Sequence, residues 1–379
     1  MARRPLVRPA LAFAAAVGCG GPAPGAPRTE PQAAPPGSPT PPSPTRRIER
    51  CVAAAPTAIP ATVARATCGG AVRAGVPGFA LAWAEGDQVA TLAHGVRCAG
   101  GADPVTDTTR FRIGSITKTL VAVAAAAAEA EGRVDLDRDV RAFLPSLRID
   151  PPDPALPLRS LLDHTAGIVE RPPAAADGDR SIVALGPFRR IMDAVPSYSN
   201  TGFALGARGL AAALGGLTTD ALLAWGPLAS LRGRLVVADG RPVPDAACGH
   251  LLRPGEPPAA MTLREDYRRL AHGAAWAAPA GAAAVAPADL ARFFATLPRA
   301  RLRALSARRH PDPAGGPAWI LGARLAQTPE GAPRIVMSGQ TGTFWALLVV
   351  DPAGGRAVVL AANAGVPLLA ARKAVLDAL

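Results

Sequence analysis

Strand-forming segments stand at both ends of this chain, and the long stretch between them reads mainly as helix. Residues 78–85 (GFALAWAE) and 88–94 (QVATLAH) flank Gly86-Asp87, which predicts a hairpin. Residues 334–338, 343–350 and 355–361 are apolar, strand-like runs, the last two joined by DPAGG. In the middle, Ala and Leu recur at helical spacing over 116–131, 156–163, 202–214 and 287–297. The expected fold is α/β in the broad sense (α+β). An antiparallel sheet is built from both chain ends and flanked by helices, with a mostly helical region inserted at about 131–280.

Composition narrows the function classes. Hydrophobic residues make up 49% of the 379, but aromatics only 4%, so the core must be assembled from Ala, Leu and Val. The length suffices for one large domain. The formal charge of +12 comes from arginines spread thinly along the chain, with no dense basic block. That pattern argues against nucleic-acid binding and predicts only loose, salt-sensitive attraction to anionic surfaces.

Residues 1–19, MARRPLVRPALAFAAAVGC, have a basic start, a short apolar run and small residues before Cys19. This is the layout of an export signal, too short to span a bilayer. Ala16-Val17-Gly18-Cys19 resembles a bacterial lipobox, in which Cys19 is lipidated and becomes the mature N-terminus. Residues 20–48, rich in Pro, Ala, Gly, Ser and Thr, read as a semi-extended linker, and 49–379 as the folded domain. The expectation is an exported protein of the cell envelope, periplasmic or on the outer surface, held to the membrane by a lipid at Cys19. In that oxidising compartment Cys51, Cys68, Cys98 and Cys248 predict one or two disulfides, with three full pairings open. No metal spacing is present and no organic cofactor is implied. Nothing in the sequence sets an oligomeric state.

Arg has displaced Lys almost everywhere, leaving only Lys118 and Lys373, and Asn survives only at 200 and 363. Such rarity marks these residues as candidates for a task that Arg or Asp cannot perform, since a guanidinium does not give up its proton and a buried amine can. Lys118 belongs to the stretch FRIGSITK (111–118), which opens a long Ala-rich helical segment. With Ser115 at the helix start, Lys118 falls one turn later on the same face. A serine hydroxyl attacks a carbonyl only when a neighbour takes its proton, and a lysine of depressed pKa can do that. By itself S-x-x-K is a weak signal, because a Ser before a helix is usually a cap. Residues 196–203, PSYSNTGF, supply Tyr198, one of two tyrosines, and Asn200. A phenol beside an ammonium can pass protons, and an amide can hold a lysine and a substrate together.

The combination of FRIGSITK, LLDHTAGI (161–168) and YSNTGFALG (198–206), in this order, resembles the serine beta-lactamase-like superfamily: class C beta-lactamases, D-Ala-D-Ala carboxypeptidases and related esterases. S-x-x-K is among that group's signatures. The resemblance covers about residues 60–379. It implies that Ser115 is acylated, that Lys118 and Tyr198 form the general base and acid, and that Asn200 positions substrate, with His164–Gly167 a structural turn. The group's third motif, Lys or His followed by a small or polar residue and Gly, falls on Met337-Ser338-Gly339 or, three residues on, on Gln340-Thr341-Gly342. Ser338, Gly339 and Gln340 are thus the substrate-binding candidates, with the backbone N–H groups of Ser115 and Gln340 as an oxyanion hole. In the first register Met337 replaces a cationic residue, and Arg334 is a candidate substitute for binding an anion. The implied activity is that of a serine hydrolase acting on a small molecule or peptide: a beta-lactam, a D-Ala-D-Ala-type peptide or a small ester. The Met points toward esters, or toward a catalytically weakened or inactive envelope lipoprotein that keeps the fold as a binding module.

Overall fold

The computed structural model describes residues 42–379, apart from 151–154, 171–186, 192–194, 238–242, 263–273 and 354. The export signal, Cys19 and the linker up to residue 41 lie outside the described residues. A seven-stranded antiparallel sheet contains β1 (Gly78–Glu85), β2 (Gln88–Gly95), β3 (Ala318–Ile320), β4 (Ala323–Gln327), β5 (Pro333–Gln340), β6 (Trp345–Asp351) and β7 (Arg356–Ala362) in the order β3-β4-β5-β6-β7-β1-β2. The two chain ends meet at the β7–β1 pair, where Phe79 faces Ala362 and Glu85 faces Arg356. The hairpin turns at Gly86, whose φ of 56° favours glycine.

The longer helices are α1 (Pro44–Ala53), α2 (Ala61–Arg73), α3 (Ile116–Ala130), α4 (Asn200–Ala213), α5 (Ala274–Gly281), α6 (Pro287–Thr296) and α7 (Leu369–Ala378). The period-two alternation of the strands divides the core between the two sheet faces. Phe79, Leu81 and Trp83 of β1, with Leu347 and Val349 of β6, pack on one face against Val63 and Ala71 of α2 and Ala371 and Val375 of α7. Ala80, Ala82 and Ala84 face the other way, toward Leu290 and Phe294 of α6 and the apolar side of α3. Methyl-sized side chains on that face let a helix lie close to the sheet, which is how a chain so poor in aromatics still fills its interior.

Helix α1 starts at Pro44, inside the stretch whose composition reads as linker. Ser43 caps it by accepting from the Arg46 N–H, and Pro occupies the first turn, where its missing N–H costs nothing. Among its described residues the inserted region is less helical than its Ala and Leu content predicts. Besides α4 and α5, its described residues hold helical turns at Leu158–Leu162 and Thr219–Leu222 and short strands at Ile149–Asp150, Phe188–Arg189, Val236–Val237, Gly249–Leu251 and Ala259–Met261. Gly and Pro punctuation accounts for this; Gly215 and Gly216, at φ of 97° and 81°, follow the end of α4.

Two disulfides form, Cys51–Cys68 and Cys98–Cys248. The first ties α1 to α2 across 17 residues and the second closes a loop of 150. Chain-entropy arguments put the first near 3 kcal/mol and the second near 5 kcal/mol. Cys98→Ala/Cys248→Ala should therefore lower the melting temperature more than Cys51→Ala/Cys68→Ala does. Calorimetry showing the reverse order would contradict the loop-length assignment.

Candidate active site

Strand pairing of Phe111 with Val285 delivers the chain to α3, in which an almost unbroken run of Ala over 122–130 favours helix. Ser115 occupies the cap position, yet its side chain makes no capping hydrogen bond. The hydroxyl is turned instead toward two proton-carrying groups: the Tyr198 Oη lies 2.5 Å away, and the Lys118 Nζ donates to Ser115 Oγ at 3.2 Å. Thr117 takes up local polar bonding, donating to the Gly114 carbonyl and accepting from the Ala283 N–H.

Lys118 is completely buried. Besides Ser115, its Nζ donates to Asn200 Oδ1 at 2.8 Å and to the Ala280 carbonyl at 2.7 Å. Asn200 is the first residue of α4, and Ser199 caps that helix by accepting from the Gly202 N–H. Ala280 lies in the last turn of α5, where helix carbonyls lack an intrahelical partner. Two helix ends thus aim acceptors at one amine. The Tyr198 and Phe203 rings stand 4.9 Å and 5.5 Å from the Nζ. Burial pushes the Lys118 pKa down to about 7, opposed by the Glu170 carboxylate. Near neutrality a large share of the amine is therefore uncharged, with two N–H bonds for Asn200 and Ala280 and a lone pair for the Ser115 proton. Tyr198 moves the opposite way, raised by burial to about 12 although a hydrogen bond from Ser115 favours its anion, so it enters the reaction holding its proton.

His164 and Trp319 complete the wall behind Tyr198. The imidazole stacks on the Tyr198 ring at 4.6 Å and meets Trp319 edge-on at 5.3 Å. Its backbone, at φ of 65°, turns sharply, and its carbonyl and Nδ1 accept from the N–H groups of Ser197 and Ser199. Burial, with the neighbouring Lys118 and Arg324 charges, holds His164 well below the usual histidine range, so it adds no second cation beside Lys118. The structural role expected for this turn thus includes fixing the Tyr198 ring.

The third-motif register follows from two glycines. A Cβ on Gly339 would come within 1.8 Å of the Ile113 carbonyl oxygen and 3.0 Å of the Ser115 N, and one on Gly114 within 2.8 Å of the Gln340 N. Strand β5 therefore runs against the start of α3 at Gly339. A Cβ on Gly342, by contrast, would meet nothing within 4 Å, and that residue turns the chain at φ of 84°. Thr341 donates to Phe344 on the β6 side, so strand alternation sends the Gln340 N–H toward Ser115. Both N–H groups of the expected oxyanion hole come together at the positive end of α3. Met337 shares the Gly339 face, is 7% exposed and, with Ser338, lines a cavity of about 390 Å³ that also touches Tyr198, His164, Trp319 and Arg324. The Gln340 side chain turns away and donates to the Gly365 carbonyl.

Arg334 does not serve this cavity. It is buried at the far end of β5, donating to the carbonyls of Pro333 and Leu379, with Asp351 3.6 Å away. The arginine at the cavity wall is Arg324, stacked 3.8 Å from the Trp319 ring centre and paired with Asp312. No local motif marks Arg324, Trp319 or Glu170 in the sequence, because they reach the site only through tertiary packing. Among the described residues no cluster of His, Cys, Asp and Glu could hold a metal ion, and no helix is long and apolar enough to cross a membrane.

Residues 48–379 match the family model described as Beta-lactamase, and the chain belongs to that family. A beta-lactamase of Providencia stuartii is 29% identical over 93 residues, a stretch covering 24% of each chain, so the match spans about a quarter of that relative. A D-amino acid amidase from Ochrobactrum anthropi SV3, solved with L-phenylalanine amide, superposes with a TM-score of 0.66 at 21% identity, covering 88% of this chain and 98% of its own. A class C beta-lactamase mutant gives 0.65 at 19% identity, covering 84% and 96%. At these identities the superpositions establish the shared fold.

Proposed function

We propose that this protein is a serine hydrolase that works through an acyl-enzyme on Ser115. The observation that carries the reading is the meeting of a hydroxyl, an amine and a phenol, with Ser115 Oγ 2.5 Å from Tyr198 Oη and 3.2 Å from Lys118 Nζ. Ser115 Oγ attacks an amide or ester carbonyl, and its proton passes through Lys118 and Tyr198 to the departing nitrogen or oxygen as the scissile bond breaks. The N–H groups of Ser115 and Gln340 hold the oxyanion. Water then attacks the acyl carbonyl, gives its proton back along the same path and frees Ser115. Asn200, its carbonyl end committed to Lys118, offers its amide NH2 to substrate, and Ser338 and Gly339 border the bound chain.

Met337 bears on the substrate. An apolar side chain where this fold group carries a cation favours small esters and amides without a carboxylate over beta-lactams and D-Ala-D-Ala-type peptides. The test is a turnover panel of p-nitrophenyl acetate, a D-amino acid amide and a chromogenic cephalosporin. The neutral ester and amide should turn over faster than the cephalosporin, and Ser115→Ala should turn over none. Undiminished rates in Ser115→Ala would overturn the reading, and silence of the wild type toward all three would favour the binding-module alternative.

Export and lipid anchoring belong to the same proposal. Two disulfides in the folded domain suit an oxidising compartment, and the linker preceding Pro44 provides reach from a lipid at Cys19. Cys19→Ser should move the protein from the membrane fraction to the soluble one. Unchanged sedimentation with membranes would count against the anchor.

A further inference from the structure

Glu170 is a carboxylate beside the catalytic machinery that the mechanism above leaves without a task. Its Oε2 accepts from the Ser199 hydroxyl at 3.1 Å and from the Thr201 N–H at 3.2 Å. Those two residues bracket Asn200, and Ser199 follows Tyr198 directly. The carboxylate therefore grips the short segment that presents the phenol to Ser115 and the amide to Lys118. It does so at the start of α4, where a negative charge meets the positive end of a fourteen-residue helix. Ser199 is held from three sides: by Glu170 at its hydroxyl, by His164 Nδ1 at its N–H, and by the Gly202 N–H that its oxygen caps.

We propose that Glu170 is a positioning residue for the hydrolysis, clamping the 198–201 segment so that Tyr198 and Asn200 meet Ser115 and Lys118. This rests on the acyl-enzyme reading for its catalytic meaning, though the lysine titration below does not. Around the Lys118 amine, α4 contributes Asn200, α5 the Ala280 carbonyl, the preceding loop Tyr198, and the 163–170 segment His164 and Glu170; Arg324, on β4, acts on His164. His164 and Tyr198 are uncharged near neutrality, so among these described neighbours Glu170 is the one whose charge favours the ammonium. Without it, burial alone would hold Lys118 deprotonated to lower pH.

The chain contains only two lysines, which makes a direct reading practicable. Full-length protein labelled with 13C at lysine Cε gives two resonances, and Lys118→Met assigns them. In the wild type the Lys118 signal should titrate near pH 7. In Glu170→Gln, whose amide oxygen still accepts from Ser199 and Thr201, the midpoint should fall by about half a pH unit or more. An unchanged or higher midpoint would mean that the Glu170 carboxylate does not stand beside this site, against the clamp. For the clamp, Glu170→Ala should acylate at least about tenfold more slowly than Glu170→Gln at a pH above both midpoints, because only the amide keeps the segment in register. Equal rates in the two variants would overturn the clamp. If the wild type is acylated by no probe, the acyl-enzyme reading fails by itself, while the lysine titration still decides the influence of Glu170.

Discussion

Lys118→Arg is expected to slow acylation of Ser115 by between about a hundredfold and ten-thousandfold, the range associated with a positioned general base. The reason is chemical rather than steric. The amine works because burial brings its pKa to about 7, so that it can shed a proton and then receive the one from Ser115. A guanidinium stays charged under the same burial. Lys118→Met, which is neutral and of similar length, should lose as much activity, and agreement between the two separates loss of the base from any distortion the bulkier Arg brings. The same assignment fixes the pH profile. Acylation should rise through about pH 7 as Lys118 deprotonates, and Tyr198 should impose no alkaline loss until close to pH 12. Near-normal turnover in Lys118→Arg, or a rate that is flat across neutrality, would remove Lys118 from the mechanism.

Gly339→Ala should be the most damaging change available outside the reacting side chains. One added methyl would stand 1.8 Å from the Ile113 carbonyl oxygen, a backbone atom with no freedom to swing aside. Strand β5 must then lift from the start of α3, carrying the Gln340 N–H away from that of Ser115. Losing one donor to a developing oxyanion typically costs about 3 kcal/mol, so kcat should fall at least about a hundredfold. Gly342→Ala, three residues on, is the control. Its φ of 84° strains any other residue, which should cost about 1–2 kcal/mol of stability, but the added methyl would meet nothing within 4 Å and so should leave the cleft undisturbed. Stopped-flow acylation and thermal melts of the two variants test this. Equal activity loss in both would mean that Gly339 has no special contact with the serine helix.

The hairpin at 78–94, the strands after 333 and the serine helix were legible because each is a local pattern: alternation of apolar residues around a turn, or a long Ala-rich run. The S-x-x-K and Tyr-Ser-Asn stretches gained meaning together, and the structure brings Ser115, Lys118, Tyr198 and Asn200 into one pocket through contacts that span 82 and 83 residues of sequence. Rarity was a half-reliable guide. Lys118 and Asn200 lie in the site, but Lys373 makes an exposed i,i+4 pair with Asp377, and Asn363 spends its amide on the backbone of Gly78, Val96 and Arg97. The choice between Met337 and Gln340 was not readable, since a slip of three residues leaves the apolar pattern of the strand nearly intact while exchanging its faces. It took the contact of Gly339 with Ile113 to fix it. Arg334 and Arg324 look alike in sequence, and only the course of β4 and β5 separates a buried partner of the C-terminus from an arginine at the cavity wall. The described part of the inserted region is less helical than its composition predicts because scattered Gly and Pro break what the Ala and Leu content favours.

Mass spectrometry of the intact protein and its peptides after exposure to a fluorophosphonate and, separately, to a penicillin is the most direct measurement. Covalent addition of one phosphonyl group, confined to the peptide bearing Ser115 and absent from Ser115→Ala, is the predicted result, with the penicillin adduct slower to form because Met337 offers its carboxylate no cation. An adduct on another residue, or none with either reagent at a pH where Lys118 is neutral, would contradict a reactive hydroxyl at this position.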